Sequence, residues 1–322
     1  MTIFSIGSRV SPLAMAQARR VQAMLAAAAG AQPQDFPIVG FKTTGDRIQD
    51  RSLNDAGGKG LFTKELDEAL MRGEIGAAVH SLKDVPTRLP DGLVLAAVPE
   101  REDPRDAFVS LKARDLSGLP PGAVVGSASL RRQAQVLHAR GDLKVTLLRG
   151  SVETRLKRLQ EGAIDATFLA LAGLKRLGLE RHATSLVSED AMLPAAAQGA
   201  LGVVAKADDA RAGALIARID DAAVRACVEA ERAFLDVLDG SCRTPIAALA
   251  RISGTTLSLS GEVLTPDGRE RWREAGEGAL GAHPLDDAAA LGRRLGLLVK
   301  QKAGPALDAI ARAAGDWRSP KT

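Results

Sequence analysis

Cysteine, tyrosine and long apolar runs are scarce in this sequence, and each shortage narrows its function. Only two cysteines occur among 322 residues, Cys227 and Cys242. They show neither CxxC nor Cys/His spacing, which argues against a disulfide framework or a structural zinc site and predicts a reducing compartment. There is no tyrosine, and aromatic residues make up 3% of the chain. Single-stranded nucleic acid needs stacking platforms and a basic stripe, so nucleic acid is not an expected partner. No stretch of about 18 apolar residues is free of charges and helix breakers, and Arg9 interrupts the N-terminal run where a signal peptide needs its apolar core. The expected location is therefore cytoplasmic, without a membrane partner. Nucleotide signatures are missing too. No GxGxxG follows the first predicted strand, and in Gly57-Gly-Lys59-Gly60 the lysine is followed by glycine rather than Ser or Thr.

What is present points to an α/β enzyme. Hydrophobic residues make up 46% of the chain, enough for two or three domains with their own cores. The net charge is +4, with basic residues interleaved among acidic ones, which favours a discrete anion pocket over a polyanion track. Short apolar runs alternate with amphipathic stretches, the pattern of parallel β/α units and a doubly wound architecture. Predicted strands are Thr2 to Gly7, Pro37 to Lys42, Ile75 to Ser81, Leu93 to Val98, Val124 to Ser127, Lys144 to Leu148 and Ala166 to Leu171. Helices are predicted at Leu13 to Ala29, Leu61 to Met71, Leu130 to Ala139 and Val152 to Gln160. The charged, proline-containing segment Pro99 to Arg105 reads as a hinge, and the run Ala200 to Ala205 as a strand returning to the first sheet. The expected domains are 1–99 plus about 198–219, then 100–197, then a small α+β domain over 220–322.

Arginines recur near predicted strand ends and helix starts, at Arg131 and Arg132, at Arg149 and Arg155, and at Arg176, with Ser129 and Ser151 placed as N-caps. Taken singly, each arginine is best explained as a solvated helix face. Together they describe a cleft between α/β domains in which helix N-termini and guanidinium forks grip carboxylates. His80-Ser-Leu-Lys83-Asp84-Val-Pro86 ends an apolar strand abruptly. It places Asp84 beside a lysine at the strand's carboxyl end, either as a fixed anion or as a loop Asp capping its own turn. Cys242 falls in a turn between helix and strand, reachable as a nucleophile or inert, while Cys227 reads as core and His80 as a packed side chain. Lys59 and Phe62 fit a mobile lid.

These segments resemble the porphobilinogen deaminase family. The match runs through Ser8-Arg9-Val-Ser11-Pro-Leu-Ala14 with Gln17, Thr43-Thr-Gly-Asp46, Gly58-Lys-Gly-Leu-Phe-Thr-Lys-Glu65 and Ala78-Val-His-Ser-Leu-Lys-Asp-Val-Pro86. It continues through Asp103-Pro-Arg-Asp106, Ser129-Leu-Arg-Arg132, Leu148-Arg-Gly150, Thr154-Arg155, Leu169 to Leu174 and Gln198-Gly-Ala200 to Cys242. The sequence departs from the family pattern at Ala128, Ser151, Ala197 and Ser241-Cys-Arg243.

The resemblance implies a three-domain α/β fold whose first two domains are doubly wound and periplasmic-binding-protein-like. It also implies a dipyrromethane cofactor joined by thioether to Cys242, no metal, and a monomer. The implied reaction condenses four porphobilinogen molecules head to tail with loss of ammonia, then releases hydroxymethylbilane by hydrolysis. By the same resemblance Asp84 is catalytic, stabilising the cation left as ammonia departs. Lys83, Asp84, Ser129, Arg131, Arg132 and Arg155 hold the cofactor, and Arg9, Ser11, Gln17, Lys59, Phe62, Arg149, Arg155 and Arg176 orient substrate. The alternative from another class is a non-catalytic small-anion-binding protein of two hinged α/β domains. A cysteine-nucleophile hydrolase is disfavoured because no histidine can be assigned as its base.

Overall fold

The structure is a computed structural model that describes residues 2–47, 60–238 and 244–313. The chain opens with β1 (Ile6–Arg9) and α1 (Pro12–Ala29). Helix α1 starts where the Ser11 side chain accepts the Ala14 N–H and Pro12 takes the first turn, and it stops at Gly30 in the left-handed region at φ 63°. Its buried stripe of Ala14, Ala18, Val21 and Leu25 packs on the sheet beneath. There follow β2 (Ile38–Phe41), the single turn α2 (Thr44–Arg47), α3 (Lys64–Met71), β3 (Ala77–Ser81) and β4 (Leu93–Ala97).

Next come β5 (Asp106–Ser110), β6 (Val124–Ser127), α4 (Leu130–Ala139), β7 (Lys144–Leu147), α5 (Val152–Gln160), β8 (Ala166–Ala170), α6 (Leu171–Arg176) and the two-residue β9 (Ser185–Leu186). These strands form a second five-stranded sheet in the order β7-β6-β8-β5-β9. The chain then returns through β10 (Leu201–Lys206), which completes the first sheet as β2-β1-β3-β10-β4, and continues to α7 (Ala210–Ile216).

After α8 (Ala222–Val237), an antiparallel meander of β11 (Ile246–Ser253), β12 (Thr256–Leu264) and β13 (Arg271–Ala279) makes a third sheet, covered by α9 (Pro284–Ala303) and followed by α10 (Pro305–Ala313). Gly292 lets α9 approach α8, since a Cβ there would lie 2.2 Å from the Ala230 carbonyl oxygen. Two compact units result. One holds the described residues of 2–47, 60–102 and 198–225; the other holds those of 103–197 and 226–313, with the second and third sheets.

The α/β class is as expected, and Leu201–Lys206 does join the first sheet. Neither main sheet is wholly parallel, however. β10 runs antiparallel to β3 and β4, and β5 runs antiparallel to β8 and β9. β5 and β10 are the strands by which the chain enters the second sheet and returns to the first; each follows a strand of the other sheet, so no βαβ crossover sets its direction. The first strand also sits later than expected, because Ser8 and Arg9 continue the ladder opposite Gly40 and Phe41 after the apolar run has ended. Helix α3 begins at Lys64 rather than Leu61, since residues 60–63 form a turn with the Thr63 N–H bonded to the Gly60 carbonyl.

Candidate functional site

In the first unit the candidate residues gather where β1 and β3 end. Ser11 is spent as the cap of α1. Gln17, buried on the same helix, donates from Nε2 to Ser81 Oγ at 2.8 Å and so holds the end of β3. Arg9 forms a two-pronged pair with Asp46, through Nε to Oδ2 at 3.2 Å and through a second nitrogen to Oδ1, and its guanidinium lies 4.2 Å from the centre of the Phe62 ring. Asp46 also accepts the Thr43 hydroxyl at 2.8 Å and the Thr43 N–H at 3.1 Å. Burial pushes the Asp46 pKa up, but the Arg9 and Thr43 hydrogen bonds and the Arg9 charge outweigh it and leave it below the usual carboxylate range.

Asp84 ends the 3-10 turn Leu82–Asp84 that follows β3 directly, half-buried, as its position before Val-Pro predicts. Among the described residues its carboxylate has no hydrogen bond or ion pair. Neighbouring Lys83 donates to Gln198 Oε1 at 3.2 Å, and the Gln198 carbonyl accepts from Arg101 Nε at 2.9 Å. His80 is buried on β3 with no partner on Nε2 among the described residues; burial, then the positive charge of Arg9, lowers its pKa to about 4, so it is neutral at physiological pH.

In the second unit Ser129 caps α4 and Ser151 caps α5, each accepting the N–H three residues on. Arg131 and Arg132 are not solvated: they are 5% and 6% exposed and share one fully buried carboxylate, Asp106 at the start of β5. Arg131 donates to Asp106 Oδ2 and Arg132 to Oδ1, each at 2.7 Å. Burial pushes the Asp106 pKa up, but the two guanidinium charges and their hydrogen bonds override it and keep the group ionised. Arg132 also donates to the Phe168 carbonyl at 2.8 Å, and Arg131 to the Leu193 carbonyl at 2.9 Å and Gln135 Oε1 at 3.0 Å.

Arg155, half-buried, donates from Nε to the Gly150 carbonyl at 3.1 Å. Burial, then the like charges of Arg132 and Arg149, bring its pKa down to about 10, so it stays cationic at neutral pH while three guanidiniums repel one another. Arg176 closes α6 instead of opening a helix, with its Nε buried.

This second-unit group suits a carboxylate-bearing cofactor. A guanidinium has five N–H donors. Arg131 uses three toward described residues and Arg132 two, and both Nε atoms are buried without an acceptor. Surplus positive charge with unused buried donors is relieved by an anion. Lys59 and Cys242 lie outside the described residues. Sequence reasoning assigned no role to Asp46, Asp106 and Gln198, which it met only as parts of motifs; the signal was available in Asp106, a charge opening an otherwise apolar run. It gave Gln135 and Glu262 no role at all.

Two family models match the chain: "Porphobilinogen deaminase, dipyromethane cofactor binding domain" over residues 4–214 and "Porphobilinogen deaminase, C-terminal domain" over 225–301. The chain is 50% identical over 300 residues to a porphobilinogen deaminase of Nitrobacter hamburgensis, covering 93% of each. It is 55% identical over 265 residues to one of Paracoccus denitrificans, covering 82% of this chain and 85% of that protein. Among solved structures, a periplasmic substrate-binding protein of an ABC transporter from Coxiella burnetii aligns at 16% identity over 70% of this chain and 94% of its own, with a TM-score of 0.43.

Proposed function

The chain belongs to the porphobilinogen deaminase family, and from that premise we propose how its residues divide the work of building a linear tetrapyrrole. The protein is a transferase of tetrapyrrole biosynthesis. It joins four porphobilinogen molecules head to tail, releasing ammonia at each step, and frees hydroxymethylbilane by hydrolysis. The observation that carries the mechanism is Asp84, which follows β3 directly and, among the described residues, has no ion pair or hydrogen bond of the kind that occupies Asp46, Asp103 and Asp106.

A fixed anion with no structural duty suits a reaction in which positive charge develops on a pyrrole as ammonia leaves. Asp84 stabilises that charge, accepts hydrogen bonds from pyrrole N–H groups and assists proton movement there. Lys83, held by Gln198, presents an ammonium to a carboxylate next to it. Arg131, Arg132, Arg155 and Ser129 hold the acetate and propionate groups of a dipyrromethane, which when bound supplies the pyrrole carbon that is extended. Its anchor is Cys242. Arg9, Ser11, Gln17, Lys59, Phe62, Arg149, Arg155 and Arg176 orient substrate. Gln17 and Ser11 do so through the backbone they brace.

The protein works as a cytoplasmic monomer; among the described residues no helix is long and apolar enough to cross a membrane. Intact-protein mass spectrometry tests the central claim. The purified enzyme should carry an increment of two pyrrole units that disappears in Cys242→Ala, whereas active protein of unmodified mass overturns the assignment. Turnover of porphobilinogen separates this reading from that of a non-catalytic anion-binding protein.

A further inference from the structure

The arginine pair of the second unit is braced by the third sheet. Gln135, one turn beyond Arg131 on α4, has its amide oriented by its neighbours. Its Oε1 accepts from Arg131 at 3.0 Å, so its Nε2 must donate, and it does so to Glu262 Oε1 at 2.7 Å and to the Leu193 carbonyl at 3.0 Å. Glu262 sits on the central strand β12, 2% exposed, with its other oxygen free of hydrogen bonds among the described residues and the Arg273 Nε 4.0 Å away. Leu193, just before the return to the first sheet, receives both Arg131 and Gln135 on one carbonyl.

We propose that Gln135 and Glu262 are positioning residues for the reaction: through the Arg131–Gln135–Glu262 relay, the third sheet fixes the guanidinium of Arg131 beside Arg132 in the orientation that receives a ligand carboxylate. This rests on the reading that Arg131 and Arg132 hold the dipyrromethane. A buried carboxylate is expensive to keep when an apolar side chain could fill the same space. Glu262 is kept where its hydrogen bond helps fix the amide of Gln135, which with Asp106 holds the Arg131 guanidinium. Without the relay Arg131 still has Asp106 and the Leu193 carbonyl as partners, so the loss is one of orientation and not of folding.

The test measures how fast the two-pyrrole mass increment appears when cofactor-free protein is incubated with porphobilinogen, alongside the thermal midpoint. The double variant Gln135→Met/Glu262→Met removes the relay while leaving Arg131 its bonds to Asp106 and the Leu193 carbonyl. It should melt within a few degrees of the parent yet load at least about fivefold more slowly, a loss of about 1 kcal/mol in the loading step. The swap Gln135→Glu/Glu262→Gln restores one link, with a carboxylate accepting from Arg131 and from the amide at position 262, but sets that carboxylate against the Leu193 carbonyl; it should load more slowly than the parent and at least about threefold faster than single Gln135→Glu. Single Gln135→Glu sets two carboxylates against each other and should be slow. Parent-like loading by the double Met variant overturns the proposal; should that variant fail to fold, a swap no faster than Gln135→Glu overturns it instead. A parent protein that never acquires the increment refutes the cofactor reading, a separate outcome.

Discussion

Ala197 donates its backbone N–H to Glu231 Oε2 at 2.6 Å while holding φ at 59°, the left-handed region that side chains avoid. The other oxygen of Glu231, Oε1, accepts the Ala250 N–H at 2.8 Å, so one fully buried carboxylate clamps a strained turn to β11. A Cβ at left-handed φ costs roughly 1–2 kcal/mol, more than the roughly 0.4–1 kcal/mol that a glycine loses through its freer unfolded chain. Ala197→Gly should therefore raise stability by about 0.5–1 kcal/mol, read as a higher urea midpoint at unchanged slope.

Asp84→Ala should leave the urea midpoint nearly unchanged, because no hydrogen bond or ion pair to a described residue is lost. Turnover of porphobilinogen should fall by about 10²-fold or more, the scale on which a preorganised electrostatic partner acts. Near-parental turnover removes Asp84 from the mechanism.

His80 gives a pH dependence with a definite sign. Its folded pKa, about 4, lies below the ordinary histidine value of 6.5, so between those values the unfolded chain binds the proton that the folded chain refuses. Stability is then complete above about pH 6.5 and falls as pH drops toward 4, by an amount on the order of 3 kcal/mol. His80→Leu should flatten the midpoint-against-pH curve across that window. An unchanged slope would place the acid sensitivity elsewhere.

Arg149→Ala removes one of the two like charges that, after burial, lower the Arg155 pKa, so that pKa should move back up. Elongation should stop while the two-pyrrole increment stays on the protein, because the proposed division gives Arg149 to the substrate and not to the cofactor. Full-length product at the parental rate contradicts that division.

Much of this was legible from residue order. Strand ends other than those of β1, the caps at Ser129 and Ser151, the turn at Asp84 and the return of Leu201–Lys206 follow from local patterns of apolar residues and breakers. What stayed hidden depends on partners distant in sequence. Arg131 and Arg132 look like a solvated helix start until Asp106, some 25 residues earlier, is seen to neutralise them. For the same reason β5 is obscured, since a buried aspartate opens it. Strand β13, Arg271-Trp-Arg-Glu-Ala-Gly-Glu-Gly-Ala279, is too charged to read as sheet, and it forms because it is an edge strand paired along its length with β12.

β10 lies between β3 and β4, and no ladder joins those two directly. A ribosome releases β4 and then must add roughly a hundred residues before β10 exists. At bacterial or eukaryotic elongation rates that interval is about 5–20 s, during which the nascent first unit has an unfilled slot in the middle of its sheet. Open strand edges of that kind invite mispairing with other chains. Synthesis itself is therefore a vulnerable stage in the life of this protein, and a truncation just before Leu201 removes the strand on which the whole N-terminal sheet closes.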